Sequence, residues 1–244
     1  MRKMLSFADR TMKEILRDPL TLGFGLGFPI ILLLLLSLIQ ANIPVEMFEL
    51  TRLTPGITIF GLSFITLFSA QLISKDRTSS LLTRLYTTPL KATDFILGYL
   101  LPIIPLCLAQ TVICYIVALI LGLQFNINII WAILMNLVPS FFYIGLGLLC
   151  GSALTEKQVG GICGALLTNL SAWLSGIWFD IEMLGKVFMR IANALPFIHA
   201  VELERAMAIG DFQAAIPHLW WVLGYGIVIM AIAVAVFLRQ MKNR

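Results

Sequence analysis

Residues 95–121 read FILGYLLPIIPLCLAQTVICYIVALIL. The stretch holds no Asp, Glu, Lys or Arg. A bilayer core about 30 Å thick is crossed by roughly 20 such residues in a helix, so this run is long enough to span it. Further apolar runs lie near 20–39, 55–74, 130–153, 158–178 and 216–238, the fifth in chain order (158–178) being the weakest because Gly and Ser dilute it. The chain is 59% hydrophobic and 12% charged, against about 25% charged in soluble domains. The expected fold class is an all-α membrane protein with six transmembrane helices. In 244 residues no separate soluble domain is expected. The chain divides into an amphipathic segment at 1–19 and a membrane domain at 20–244.

None of the 13 acidic and 17 basic side chains falls inside these runs. A charge at membrane depth is costly and is kept where it handles ions or protons. The runs therefore offer nothing to relay protons, and the energy for any uphill transport is expected from outside the chain. Lys and Arg collect on the cytoplasmic side. Arg2, Lys3, Arg10, Lys13 and Arg17 precede the first run, and Lys75, Arg77, Arg84 and Lys91 lie between the second and third. Lys157 lies between the fourth and fifth, and Arg239, Lys242 and Arg244 follow the sixth, whereas only Arg52, Lys186, Arg190 and Arg205 fall on the other side. Both termini of a multi-pass plasma-membrane protein are thus expected in the cytoplasm. The net charge of +4 reads as topology and contact with anionic membrane lipids, and no basic, aromatic-studded stripe points to nucleic acid.

The loops carry their own patterns. In residues 1–18, Met4, Ala8, Met12 and Ile15 share a face with Leu5 and Leu16, which suits an interfacial helix, and Pro19 marks the turn into the bilayer. The first run is too long for a signal-peptide core and has no cleavage site after it, so it is expected to be retained. The loop KDRTSSLLTRLYTTPLKATD, 75–94, sets Leu81, Leu82 and Leu85 on one face and Arg77 and Arg84 on another. It predicts a short cytoplasmic helix ending near Pro89; the alternative is a loop whose charges only set topology. In the fifth run Gly160, Gly164, Thr168, Ala172 and Gly176 recur every fourth residue, a spacing that lets helix backbones approach, either within the chain or between subunits. Segment 179–215 is too polar for another span and splits at Leu195-Pro196. It predicts an extracytoplasmic re-entrant helical hairpin half-sunk in the outer leaflet, with Glu202, Glu204 and Arg205 at polar positions. Pro102, Pro105 and Pro139 predict kinks.

Motifs for chemistry are missing from the sequence. There is no GxxxxGK[ST] loop, HExxH or Cys-x-x-Cys, the patterns that would cradle phosphates or hold zinc. Cys107, Cys114, Cys150 and Cys163 read as buried apolar thiols, and His199 and His218 as interfacial side chains. No His adjoins Ser63, Ser69, Ser171 or Ser175. The chain is expected to be no enzyme, with no catalytic residue, metal or cofactor of its own. The neutral polar residues Thr58, Ser63, Thr66, Ser171 and Ser175 serve either helix packing or a mildly polar pathway for an amphiphile.

Two segments carry a family resemblance. KDRTSSLLTRLYTTPLKATDFILGYLLP resembles the cytoplasmic segment of type-2 ATP-binding-cassette (ABC) exporter permeases: acid-Arg, then Gly-Thr-Leu, R-L-x-x-T-P and a leucine- and glycine-led helix. SGIWFDIEMLGKVFMRIANALPFIHAVELERAMAIGDF is similar to their outer signature, in which Ser-Gly and an aromatic pair precede P-I-E-x-L and then L-P-x-x-H/Y-A-V-E-x-x-R. The order of elements matches over essentially the whole chain. Asp180 departs from a common Pro, and Ser79-Ser80 from the Gly-Thr region. The resemblance implies a drug- or antibiotic-exporter-like permease, paired with a second copy or a paralogous permease above two cytoplasmic ATPase subunits that hold the ATP and Mg. A coupling helix with Asp76, Arg77, Leu82, Arg84, Leu85, Thr88 and Pro89 would meet the ATPases, and the small-residue stripe would pair the permeases. The family also exports polysaccharides, haem-related cargo and sodium. Because the polar groups within the runs are neutral and sparse, the expected cargo is a hydrophobic or amphiphilic compound such as a drug, peptide antibiotic or lipid-like molecule rather than a densely hydroxylated glycan. Two other readings remain: an ion-coupled transporter or channel, which needs no ATPase, and a scaffold or sensor, which moves nothing.

Overall fold

The computed structural model describes residues 2–43, 45–79 and 92–242. The helices in chain order are α1 (Arg2–Arg17), α2 (Pro19–Asn42), α3 (Leu50–Thr78), α4 (Ala92–Ile120), α5 (Asn128–Met135) and α6 (Leu137–Ala153), then α7 (156–173), α8 (Lys186–Ala194), α9 (Pro196–Ile209) and α10 (Phe212–Lys242). Five helical stretches are long and apolar enough to cross a membrane: α2, α3, α4, α5 with α6, and α10. The crossing expected at 158–178 is not among them. Its helix opens with Glu156, Lys157 and Gln158 and ends at Trp173, so polar residues take up part of its length. The expected cytoplasmic helix falls largely in 80–91, and Leu82, Arg84, Leu85, Thr88 and Pro89 lie outside the described residues.

α3 is the centre of the bundle. In its most apolar window 72% of residues are buried, against 22% in α2 and in α10. The chemistry of the helices explains the difference. α3 carries Thr54, Thr58, Ser63, Thr66, Ser69 and Ser74, all buried, and Thr58, Thr66 and Ser74 bond across to Glu204 and to the Tyr143 and Leu154 carbonyls. α2 and α10 instead present Leu20, Ile31, Leu38, Ile227 and Ile232 outward, side chains that lipid solvates well.

Glycines set how near α3 and α6 come. A Cβ on Gly147 would overlap Ser69 Oγ, and one on Gly151 would lie 2.8 Å from the Ala70 carbonyl oxygen. At that approach Thr66 Oγ1 lies 2.8 Å from the Tyr143 carbonyl oxygen, within donating distance. Small residues four apart thus join two backbones here, at a pair the sequence reading did not single out.

Prolines act where they were expected in two places. Pro139 has no N–H to offer the carbonyl four residues back, and the helix breaks between α5 and α6 at Asn136. Pro196 opens α9 after an extended Leu195, as its missing N–H permits. Gly210, left-handed at φ 85°, closes α9, and Asp211 N–H returns to the Ala206 carbonyl at 2.9 Å, the bond that ends many helices. By contrast α4 runs unbroken through Pro102 and Pro105.

Two faces differ from the sequence reading. α1 buries Phe7, Ala8, Thr11 and Ile15, with Met4 and Met12 only half-buried. Phe7 lies over Gly98 and edge-on to Phe95 and Tyr99, with centroids 5.5 and 5.0 Å apart. Thr11 fits this seam because its hydroxyl donates to the Phe7 carbonyl at 3.0 Å. α9 is not half exposed: Phe197, Val201, Leu203, Glu204, Arg205 and Met207 are all buried, under contacts from α10, α5 and α3.

Gly151→Leu forces α3 and α6 apart and costs about 3 kcal/mol or more, read as a lower unfolding temperature in detergent. Gly160→Leu, where a Cβ meets nothing within 4 Å, leaves that temperature unchanged.

Candidate functional site

α3 ends at Thr78, just before the segment expected to couple. Its last turn holds Asp76 and Arg77, consecutive residues that a helix points about 100° apart. Asp76 is 3% exposed. It accepts from Arg10 Nη1 at 2.6 Å and Nη2 at 3.0 Å, and from the Tyr99 hydroxyl at 2.9 Å. This hydrogen bond to Asp76, outweighing partial burial, raises Arg10 above the usual arginine value. Arg10 also pairs with Glu14 at 2.6 Å, which Lys75 Nζ approaches at 3.6 Å.

Arg77 turns the other way. It donates to the Ser152 and Leu154 carbonyls and to Gln240 Oε1 at 2.7 Å. A guanidinium over the last carbonyls of α6 also meets the negative end of that helix. Asp76 therefore ties α3 to α1 and α4, and Arg77 ties it to the ends of α6 and α10. The sequence reading assigns both residues to the ATPase contact; in the structure their side chains find partners within the chain.

Beside this clamp a cleft of about 760 Å³ opens between α1, the start of α2, α3 and α4. Its rim is charged, with Lys13, Glu14, Arg17, Asp18 and Lys75, and its floor is apolar, with Ile65, Phe68, Leu72, Ile103 and Leu106. Asp18 also builds the rim's geometry. It caps α2 by accepting from the Leu20 N–H at 3.1 Å and the Thr21 hydroxyl at 2.6 Å, one of the caps helix starts favour.

The residues expected to line a pathway do not line this cleft. Thr58, Ser63, Thr66, Ser171 and Ser175 are buried at 0% exposure. Ser63 and Ser175 donate to carbonyls three residues back, Thr66 bonds the Tyr143 carbonyl, and Ser171 shares a 2.6 Å hydrogen bond with the Tyr143 hydroxyl. Of the small-residue stripe, Thr168, Ala172 and Gly176 are buried within the chain, whereas Gly160 and Gly164 are half-buried. The exposed side of the same helix carries Gly161, Ala165 and Asn169.

Two constellations were not assembled by the sequence reading. His199 and His218, separated there, meet at 2.8 Å between Nδ1 atoms. His199 Nε2 donates to the Asn193 carbonyl at 2.9 Å, so its Nδ1 accepts from His218. The pair joins α9 to α10. Glu204, read as a polar-face residue, is 1% exposed and held by Thr58 and Asn136 at 2.7 and 3.0 Å. A signal for it was present. Its helical neighbours three and four residues away are Ala200, Val201, Met207 and Ala208, all apolar, so Glu204 lies inside the apolar stripe. Among the described residues no group of three or more His, Cys, Asp or Glu side chains is placed to hold a metal.

A profile described as "ABC-2 type transporter" matches residues 2–208. The chain belongs to the ABC-2 type transporter family. The match takes in α1, Asp76 and Arg77 and most of α9, but not α10 with Gln240. Two relatives of this ABC-2 chain carry the name capsule polysaccharide export inner-membrane protein CtrC. The protein from Neisseria meningitidis serogroup A is 26% identical over 160 residues, 65% of this chain and 60% of the relative. That from serogroup B is 28% identical over 167 residues, 68% of this chain and 63% of the relative. The chain thus spans less than two thirds of the length of these relatives.

Asp76→Asn removes one side of the clamp. It is expected to weaken the hold on α1 by about 1–3 kcal/mol, seen as faster hydrogen exchange in residues 2–17 with α10 unchanged. Arg77→Ala is expected to do the reverse, loosening the end of α10 and sparing α1.

Proposed function

We propose that this chain is the permease subunit of an ABC exporter, with ATP hydrolysed by separate cytoplasmic subunits bound below it. The observation that carries the reading is the clamp at Asp76 and Arg77. These residues stand immediately before the 80–91 segment, whose sequence resembles the family's coupling segment, and they hold α1, α4 and the ends of α6 and α10. A push on that segment would therefore move four helices together. ATP shifts the permease only so far as the two conformations differ in what they offer the ATPases, and the last turn of α3 is where that difference would be registered. The Lys and Arg distribution supports a cytoplasmic position for the clamp and both termini.

The proposed cargo is an amphiphile that enters by the cleft, its polar part at the charged rim and its apolar part on the floor. Relatives named for capsule polysaccharide export support a saccharide-bearing amphiphile over a drug or peptide antibiotic. A second permease would pack on the exposed side of α7, along Gly161, Ala165 and Asn169, with Gly160 and Gly164 at the margin. One observation favours a second reading, an ion-coupled transporter: Glu204 is a buried acid of the kind such proteins use.

The experiment is co-purification with an ATPase encoded beside this gene, followed by flux in liposomes with a saccharide-bearing lipid and an apolar drug as alternative cargoes. ATP-dependent, vanadate-sensitive flux is expected. Flux by the chain alone along an ion gradient supports the second reading, and no flux from the intact complex points to a scaffold. Arg77→Ala is expected to lower ATP-driven flux at least tenfold while the ATPase still co-purifies.

A further inference from the structure

The bonding around Glu204 does not close unless a hydrogen is added. Thr58 Oγ1 lies 2.7 Å from the Pro55 carbonyl oxygen and 2.7 Å from Glu204 Oε1. A hydroxyl has one hydrogen. If Thr58 gives it to Glu204, two oxygens are left at hydrogen-bond distance with nothing between them; if it gives it to Pro55, the same holds on the other side. A proton on Glu204 Oε1 resolves both contacts, because Glu204 then donates to Thr58 and Thr58 donates to Pro55. The other carboxyl oxygen is already an acceptor. Asn136 Nδ2 donates to Oε2 at 3.0 Å.

No cation offsets a charge at this position. Among the described residues none of the ion pairs includes Glu204. The adjacent Arg205 faces away, bound to Glu202 at 2.8 Å and to the Arg52 and Gly176 carbonyls at 3.2 Å each. α3 offers Thr58, α4 offers Cys114 and Tyr115, and the α5–α6 junction offers Asn136. α10 contributes His218, which His199 occupies, and α8 carries Lys186 and Arg190, both exposed. A buried carboxylate with no cation takes up a proton instead.

We propose that Glu204 is a proton-binding site that clips α9 to α3: it holds a proton on Oε1 while the two helices are packed and releases it to water when they part. The O–H bond breaks, the proton goes to solvent, and a hydrated carboxylate stays on α9. The site does not depend on which source of energy drives transport. Burial, opposed by hydrogen bonding with Thr58, Tyr115 and Asn136, pushes the Glu204 carboxyl from 4.5 up to about 8. Below 4.5 the acid is protonated whether packed or parted, so pH has no effect through it. Between the two values only the packed form keeps its proton, so the packing weakens as pH rises through that window and is weakest above it.

Infrared spectra of the full chain in lipid nanodiscs test this directly. At pH 7 exposed carboxyl groups are ionised, and wild type is expected to show a protonated-carboxyl band that Glu204→Gln lacks. The band should fade as the pH is raised to 10 and move to higher frequency in Thr58→Val, which removes its acceptor. No such band in wild type, or a band kept by Glu204→Gln, overturns the proposal. Should Glu204→Gln fail to insert, the wild-type band decides: one unmoved by Thr58→Val, or one that does not titrate by pH 10, overturns it equally.

Discussion

α3 is fixed by bonds that only its neighbours can make: Thr58 with Glu204, Thr66 with the Tyr143 carbonyl and Ser74 with the Leu154 carbonyl. α2, α4, α6, α7 and α9 pack around it. α6 covers it at glycine distance, where Gly147 and Gly151 admit the backbone that carries Ser69 and Ala70. α4 and α9 cover its flank and its first turns. α2 and α10 turn many of their Leu and Ile side chains to lipid, while His218, Tyr225 and Gln240 of α10 find partners within the chain.

The covered helix is also the mechanical axis. Thr58 near one end is bonded to α9 through Glu204, and Asp76 and Arg77 near the other end hold α1, α4, α6 and α10. At 1.5 Å per residue these anchor points stand roughly 27 Å apart, close to the thickness of the hydrocarbon layer. On the proposed reading, a displacement of the last turn would be carried along α3 to α9.

Composition and periodicity disclosed what is local. The apolar runs gave the five long helices, and Pro139 and Pro196 marked breaks that the structure has. The run at 158–178 is not among the five because its helix covers 156–173, taking in Glu156 and Lys157 and stopping at Trp173. The face of α1 was misjudged because its seam is fixed by Phe7 lying over Gly98, a fit invisible from one helix alone. Glu204 was misplaced for a similar reason: its partners Thr58 and Asn136 stand 146 and 68 residues away in sequence. Asp76 and Arg77 read as members of an exposed coupling segment until α1 and α10 are beside them. The proposed pairing of permeases and contact with ATPases would involve other chains, and no single sequence reports on how its exposed faces are met.

The closeness of α3 and α6 bears on how the protein is made. Their apolar windows have the two lowest mean hydropathies of the five, 1.8 for α3 and 1.9 for the α5–α6 stretch, against 2.4 or 2.5 for the others. Each is thus the poorest candidate to enter lipid unaided, and each is the other's partner. α3 leaves the ribosome long before α6 is synthesised, so during biogenesis it waits without its cover, sheltered by the insertion machinery or by the earlier helices. The glycines of α6 then decide when that wait ends.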